Sequence, residues 1–290
     1  IEIFYINLLM NTLSNVPVFC INLKKSIKRK NIMQKQFESL GCNYTFCEAI
    51  DYDNINVGYT KKYKRPKGVF NNKEGKNIIN DIKCSFKKNN IVSKVHIKCL
   101  TPNDTSYKWC ACTLSHLYYI FSQYFHRSNH EVICMCEDDI SFEYIPQWEN
   151  TLDEIIKNAP NNWSIIKLHC SNVEILKKYI NSENKYIKIT SKQKKFFWST
   201  GLYVINKKGM KLLFDTFYDK KNNIFKLYLD YPVADSILQS IPDSYYYSIP
   251  LVKNNNIDYD LKTTLNHIMN TFEKTGIEFV ENFYNKNNKK

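Results

Sequence analysis

Apolar and polar positions alternate over the first fifty residues in a way that predicts a strand, a helix and a second strand. Residues 17–23 form an apolar run typical of a buried strand. Apolar side chains then recur at helical spacing over residues 27–40, with Ser26 placed to cap the helix and Gly41 to end it. A second strand is expected over residues 44–50. Such a β-α-β unit implies parallel strands joined by a right-handed crossover.

The pattern weakens over residues 52–108, where Lys/Asn-rich sequence surrounds short apolar runs near Ile78 and Ile91. We interpret this stretch as an excursion from the core, of the kind that forms lids or binding loops. Regular periodicity returns with a helix expected from Ala111 to Phe125, followed by the apolar strand 131–136.

The later part of the chain continues the alternation of helices and strands. The expected elements are a helix over 147–158, strands over 163–168, 186–190 and 198–205, a helix over 207–218 capped by Asn206, a short helix near Val233, a strand over 245–249 and a polar tail. This order predicts a three-layer α/β domain over residues 17–252, with a mostly parallel central sheet flanked by helices. Residues 1–16 and 253–290 are expected to be terminal extensions.

Three consecutive acids, Glu137, Asp138 and Asp139, follow the apolar strand directly. Open α/β sheets bind ligands at the carboxyl ends of their strands, and Asn22 and Asp51 lie at two other such ends. Adjacent acids concentrate negative charge that a cation must offset. The hard cations Mn²⁺ and Mg²⁺ take oxygen ligands and keep positions open for substrate phosphates. The acids alone leave two alternatives open, a metal site and a solvated turn.

The composition narrows the ways in which a nucleotide could be held. Only 7 of the 290 residues are glycine, and neither a GxGxxG nor a GxxxxGK[ST] motif occurs. If the protein binds a nucleotide, it must hold the phosphates in another way, and a metal ion is the obvious substitute. The net charge of +13 suggests either an anionic partner or a compositional bias toward lysine. The lysines are scattered among asparagines, which favours the compositional bias. The sequence has no basic stripe with interleaved aromatic residues, so nucleic acid is not an expected partner.

The ten cysteines contain no CxxC pair, so a zinc site of the usual kind is not predicted. Cys134 and Cys136 share one face of a strand and are expected to pack as small apolar groups. Two pairings stay open as disulfides, Cys42 with Cys47 and Cys84 with Cys99.

No segment is apolar and long enough to be predicted to span a membrane. Residues 1–16 have an apolar patch but neither a basic region nor a clear cleavage site. The compartment stays open between the cytoplasm and, after processing, a lumen, and the oligomeric state is not determined.

Five blocks in order carry the residues that bear on function. They are Phe19-Cys20-Ile21-Asn22-Leu23 with Arg29, Phe46 to Asp51, Trp109 to His116 followed by Ile133 to Ile140, Ser199 to Ile205 with Lys208-Gly209, and Tyr231 to Asp235. Together these blocks resemble glycosyltransferase family 25, the lipopolysaccharide-type and collagen-type galactosyl- and glucosyltransferases. The resemblance covers residues 17–252.

This resemblance implies the A-type nucleotide-sugar glycosyltransferase fold, with the acidic triplet as its Asp-x-Asp equivalent. It implies transfer of galactose or glucose from a UDP-sugar to a hydroxyl group of a glycan or a hydroxylysine-type protein acceptor. Asp139, then Glu137, would bind Mn²⁺ or Mg²⁺, because both face one side of an extended segment while Asp138 faces the other.

The resemblance also assigns residues to the donor and to the acceptor. The expected donor-binding residues are Asn22, Arg29, Asp51, Ser115, His116, Asp138 and Gly201. Of these, Arg29 would meet the nucleotide or diphosphate, and Ser115 and His116 would begin a helix. Ordinary structural roles, such as an exposed arginine, a turn aspartate, a helix cap or a core histidine, are their alternatives. An inverting transfer needs a base, for which Asp235 is the first candidate, with helix capping as its alternative, and Asp230 the second.

Two other functions are compatible with the same motifs. One is a catalytically inactive basic binding protein with this fold, and the other is a transferase that uses a different donor. The intact acidic triplet together with Asp235 argues for an active enzyme.

Overall fold

The computed structural model describes residues 15–64, 78–88, 91–99, 104–125, 130–190, 192–193, 196–228, 233–255 and 265–287. Its strands are β1 (Val18–Asn22), β2 (Tyr44–Glu48), β3 (Asn56–Lys64), β4 (Ile78–Lys88), β5 (Ile91–Cys99), β6 (Val132–Glu137), β7 (Ile140–Ser141), β8 (Ile165–Lys167), β9 (Tyr186–Lys188), β10 (Leu202–Asn206), β11 (Tyr218–Asp219), β12 (Ile224–Tyr228), β13 (Ser244–Tyr247) and β14 (Lys253–Asn254). Its α-helices are α1 (Ile27–Leu40), α2 (Asp104–Phe125), α3 (Leu152–Lys157), α4 (Val173–Tyr179), α5 (Lys207–Phe217), α6 (Ala234–Leu238) and α7 (Leu265–Asn287). Short 3-10 turns cover Tyr52–Asn54 and Ile145–Gln147.

The chain forms two compact units, each built from more than one segment. The first comprises Ile1–Glu48, Ser128–Gly209 and Gln239–Lys290, and the second comprises Ala49–Arg127 and Met210–Leu238.

A seven-stranded sheet forms the first unit, in the order β2-β1-β6-β10-β8-β13-β9. The strands β1, β2 and β6 are parallel, and β8 and β13 are parallel, whereas β10 and β9 run against their neighbours. The predicted α/β class and the parallel β1-α1-β2 unit are confirmed. The reversal of β10 puts the sheet in the mixed class, since a strand direction follows from the connections between distant segments.

Helix α1 covers one face of this sheet with three of the four residues predicted for its inner stripe. Met33, Phe37 and Leu40 are buried in the same cluster as the core side chains of β1 and β6, whereas Ile27, also predicted to face inward, is exposed at the start of the helix. Gly41 ends the helix with a φ of 59°, in the left-handed region that favours glycine. Ser26 occupies the N-cap position, but its side chain makes no capping hydrogen bond, so the predicted capping by Ser26 is wrong.

Cysteine thiols fill much of the core between β1 and β6. Cys20 and Cys136 are register partners on the two strands, and both are fully buried with Cys134. Burial raises the pKa of the Cys42 thiol to about 11 and also raises the pKa of Cys134. The predicted packing role of Cys134 and Cys136 is confirmed. Cys42, Cys47 and Cys84 are thiols, so neither of the two possible disulfides forms.

Helix α7 packs on the other face of the sheet, in a region for which the sequence suggested a polar tail. Val280 and Tyr284 are buried in one cluster with Ile175 and Leu176 of α4 and with Tyr246 of β13. Tyr245 and Tyr247, which alternate with Tyr246, belong to the cluster under α1. This alternation shows that the sheet is covered on both faces, as a three-layer arrangement requires.

The second unit has an antiparallel-rich sheet in the order β11-β12-β5-β4-β3, with β12 parallel to β5. Phe86, Val95 and Ile97 are buried, and their polar neighbours point the other way. Stretch 52–108 therefore contains three regular strands, where the sequence suggested an excursion. Phe121 of α2 packs against Phe214 and Phe225 within the same unit.

Several boundaries differ from the predicted ones. Helix α3 covers only Leu152–Lys157, because Thr151 and Glu154 form a capping box that starts it there. Asn206 caps α5 as predicted, with its Oδ1 accepting a hydrogen bond from the Gly209 N–H at 2.9 Å. Among the described helices, none is both long enough and apolar enough to cross a membrane.

Candidate functional site

The acidic triplet lies where β6 ends beside β1 in the first unit. Glu137 is the last residue of β6 and is the register partner of Ile21, so Asn22 lies at the same end of the sheet. Asp138 and Asp139 then form a turn into β7. The extended geometry predicted for the triplet therefore stops at Glu137, and the two aspartates are displayed by a turn.

The Asp138 carboxylate is buried and points toward β1 and α1. Its Oδ2 accepts a hydrogen bond from Asn22 Nδ2 at 2.6 Å, and its Oδ1 accepts one from Arg29 at 3.2 Å. Burial raises the pKa of Asp138, and Arg29 and Asn22 offset that rise only in part. Arg29 also lies 3.9 Å from Asp139. The predicted donor residues Asn22, Arg29 and Asp138 are thus brought together as one hydrogen-bonded cluster.

Glu137 is held by a residue of the segment that precedes β10. The Thr200 hydroxyl donates a hydrogen bond to Glu137 Oε1, and the Glu137 N–H donates to the Gly201 carbonyl at 3.0 Å. Lys167, fully buried on β8, and Gln239 both donate to the carbonyl of Phe197. The Thr200 hydroxyl holds the Glu137 carboxylate, and the two donors to Phe197 hold the segment that carries Thr200.

The acidic turn is fixed from two further sides. Gln36 of α1 accepts a hydrogen bond from the Phe142 N–H at 2.7 Å and donates to the Ile140 carbonyl at 3.3 Å. On the other side, the Asn255 N–H donates to the Asp139 carbonyl at 2.6 Å. The turn that carries Asp139 is therefore held at its backbone, and the Asp139 side chain is partly exposed.

A strained loop and a buried histidine support the same end of the sheet. Ser199 has a φ of 85°, and its Oγ accepts a hydrogen bond from the Gly201 N–H at 2.9 Å and lies 2.8 Å from His169 Nδ1. Burial, with a smaller contribution from Lys167, lowers the pKa of His169 to about 4, so its imidazole is neutral at physiological pH.

Gly201 is required by the close packing around it. A Cβ on Gly201 would lie 2.6 Å from His169 Nδ1 and 2.9 Å from Ile140 Cγ2. We expect Gly201→Ala to lower the free energy of unfolding by about 1–3 kcal/mol, because buried atoms must move to make room. Urea titration measures this cost. Gly58→Ala is the matched control, since a Cβ there meets nothing nearer than a carbonyl oxygen at 3.7 Å. Equal effects of the two substitutions would contradict the steric account.

Arg29 offsets the negative charge of the Asp138 carboxylate, which is largely buried. The exposed side-chain fractions are 21% for Arg29 and 10% for Asp138. We expect Arg29→Leu to lower the free energy of unfolding by about 2–3 kcal/mol, because it leaves a buried charge without its main partner. The double variant Arg29→Leu/Asp138→Asn should lose less than Arg29→Leu alone in the same urea titration. Strict additivity of the two single effects would show that the ion pair has no energetic role.

The other predicted residues belong to the second unit. Asp51 caps the 3-10 turn Tyr52–Asn54, and its carboxylate accepts a hydrogen bond from the Asp53 N–H at 3.3 Å. Asp235 lies half-buried in the first turn of α6, and Asp230 lies outside the described residues.

The prediction that Ser115 and His116 begin a helix is wrong. Helix α2 starts at Asp104, so both residues lie in its middle and neither can cap it. The Ser115 hydroxyl donates to the Ala111 carbonyl at 2.7 Å and accepts from the Ile50 N–H at 2.8 Å, which ties the helix to the chain after β2. His116 is buried.

Sequence reasoning missed four residues that shape the acidic end of the sheet. They are Gln36, Lys167, His169 and Thr200. For Lys167 a signal existed, since a lysine inside the apolar run Ile165–Leu168 must find buried partners. For Gln36 and Thr200 no local signal exists, because their partners are more than sixty residues away along the chain.

Comparison with protein families matches residues 15–236 to glycosyltransferase family 25, described as an LPS biosynthesis protein family. A search of the curated proteins gave no match. The matched range includes β1, α1, β6 with its acidic turn, and the loop that carries Ser199, Thr200 and Gly201. The chain belongs to glycosyltransferase family 25.

Proposed function

We propose that this glycosyltransferase moves a hexose, galactose or glucose, from a UDP-sugar to a hydroxyl group of a glycan or a hydroxylysine-type acceptor, with inversion. The observation that carries the proposal is the carboxylate cluster at the end of β6, supported at its backbone and side chains by contacts with β1, α1 and the loop before β10. Such support is expected where charged groups must keep a fixed geometry during a reaction.

The chemistry of the cluster fits a hard divalent cation, Mn²⁺ or Mg²⁺. With all acids ionised, three carboxylates and the Arg29 guanidinium leave a formal charge of two minus. Asp138 is already engaged by Arg29 and Asn22, so Glu137 and Asp139 would hold the ion through their oxygen atoms. A bound cation would supply charge neutralisation for the leaving nucleoside diphosphate.

The remaining residues of the cluster have distinct proposed roles. Arg29 lowers the pKa of Asp138 against the effect of burial and holds its carboxylate in place, and the guanidinium also faces Asp139, where it can bind a phosphate oxygen of the donor. Thr200 orients Glu137. Asp235 stays the predicted base that takes the proton of the acceptor hydroxyl, with Asp230 as the second candidate.

A donor screen tests the function. The full chain is incubated with Mn²⁺ and a panel of UDP-sugars, with and without acceptor mixtures, and released UDP is measured while mass spectrometry identifies products. We expect UDP release from UDP-galactose or UDP-glucose, and loss of that release when EDTA removes the cation. No UDP release from any donor would overturn the proposal and favour a binding protein without turnover. Release driven by a donor other than a UDP-hexose would correct the donor class alone.

A further inference from the structure

The five-stranded sheet of the second unit borders a cavity of about 390 Å³. Its lining includes Lys83 and Ser85 of β4, Lys94 and His96 of β5, Val57 of β3 and Ile224 of β12. This volume is within the range of small-molecule sites, which begins at about 300 Å³. The ladder between β3 and β4 is irregular between Val57 and Tyr59, and the intervening residue, Gly58, has no side chain to fill the space.

Charge distinguishes this cavity from an ordinary surface groove. Lys83 is the register partner of His96, and Lys94 is the register partner of Ser85, so two lysines and a histidine lie close together on two neighbouring strands. Among the described lining residues, none is acidic. The two lysines place positive charge on neighbouring strands, and an anion can bind to that charge. The side chains between them, Cys84 and Val95, are buried in the unit.

An exposed aromatic ring lies beside the cationic groups. The Tyr228 side chain is 45% exposed, and its hydroxyl lies 2.6 Å from His96 Nδ1. The Lys98 ammonium lies 5.1 Å from the centre of the Tyr228 ring. A tyrosine offers an apolar face on which the C–H groups of a pyranose can pack, together with a polar hydroxyl. The apolar side chains of Val57 and Ile224 in the cavity wall add to this surface.

We infer that this cavity, which we call the β4–β5 cavity, binds a sugar residue that carries an anionic substituent, a carboxylate or a phosphate. Lys83 and Lys94 bind the anion, His96 and Ser85 hydrogen-bond its oxygen atoms, and the apolar wall with Tyr228 contacts the ring. The inference rests on the proposed function in one respect: the anionic sugar is assigned to the glycan acceptor rather than to the donor.

Calorimetric titration of the full chain tests the inference directly. The probes are digalacturonate for a carboxylate, glucose 6-phosphate for a phosphate, lactose as a neutral disaccharide, and inorganic phosphate. We expect one or both anionic sugars to bind more tightly than lactose and than inorganic phosphate, and the stronger of the two identifies the substituent. Lys94→Gln and Lys83→Gln should each weaken that binding about tenfold, as loss of a hydrogen bond to a charged group does.

A matched control is available on the same strand. Lys87 points to the same face of β4 as Lys83 but does not line the cavity, so Lys87→Gln should bind like the wild type. Lys94→Arg keeps the charge and should retain most of the affinity. Binding that is unchanged in both lysine-to-glutamine variants, or no binding of either anionic sugar, would overturn the inference. Equal affinity for inorganic phosphate and glucose 6-phosphate would overturn the assignment to a sugar.

The same titration separates this inference from the proposed function. Binding at the β4–β5 cavity should be unchanged in Asp139→Asn, which alters the acidic turn alone. If no donor is hydrolysed and yet the anionic sugar binds in a Lys94-dependent way, the transferase proposal fails and the binding site stands. If the transferase is active but Lys94→Gln changes neither binding nor the KM for an acidic acceptor, the binding site fails by itself.

Discussion

Asp139→Asn should reduce UDP release by about two to three orders of magnitude, the size of effect seen when one electrostatic group of a catalytic site is removed. Asparagine keeps the shape of the side chain but removes its negative charge, so the cluster loses half of the charge that a divalent cation would neutralise. The assay is UDP release at saturating donor and Mn²⁺. Calorimetric titration with Mn²⁺ gives a second readout, in which the affinity for the ion should fall.

The control for this variant is Glu131→Gln, an exposed acid just before β6 whose side chain pairs with Lys207. This change should leave both readouts unaltered. Circular dichroism of Asp139→Asn should match the wild type, because the Asp139 side chain is partly exposed and the turn is held through its backbone. Full activity in Asp139→Asn would show that Asp139 is not a metal ligand.

Tyr284→Ala should lower the free energy of unfolding by about 3–4 kcal/mol, as truncation of large buried aromatic side chains does. Tyr284 of α7 is 2% exposed, and its ring stacks on Tyr144 with 4.3 Å between centroids. Its hydroxyl donates to the Pro250 carbonyl at 2.5 Å. The measurement is urea unfolding followed by far-UV circular dichroism.

Tyr284→Phe separates the two contributions of this side chain. It keeps the stacked ring and removes only the hydrogen bond to Pro250, so a loss of about 1 kcal/mol is expected. A cost for Tyr284→Ala no larger than that for Tyr284→Phe would mean that α7 contributes little to the stability of the first unit.

The sequence analysis predicted those elements in which the periodic pattern of apolar residues is not obscured by the biased composition. The β1-α1-β2 unit follows from an apolar run, a stripe ending at Leu40 and a terminal Gly41. The acidic end of β6 follows from a buried strand that stops at Glu137. In both cases the information is local, since it lies within a few turns or one strand of the chain.

Compositional bias concealed three other elements. In β4 and β5, lysine, serine and histidine alternate with Cys84, Phe86 and Val95, which is a strand pattern with period two. In α7, Val280 and Tyr284 recur at helical spacing among asparagines and lysines. The apolar positions were present, but abundant polar residues around them lowered the average hydrophobicity.

The contacts of the site could not be predicted from local patterns. Asn22 is 116 residues from Asp138, and Thr200 is 63 residues from Glu137. The order of strands decides which of these residues meet, and the reversed direction of β10 brings Thr200 to the end of β6. Resemblance to a family indicated that Asn22 and Asp138 matter, but the roles of Gln36, His169 and Thr200 required the structure.

The buried cysteines allow local unfolding to be followed by thiol labelling. Thiol alkylation requires the thiolate, and burial raises the pKa of Cys42 to about 11 and that of Cys84 to about 12. In the native state at neutral pH these thiols should therefore resist maleimide reagents, whereas the exposed Cys112 should react. The rate at which Cys42 and Cys84 become labelled then reports how often each unit opens, as amide exchange does for backbone groups.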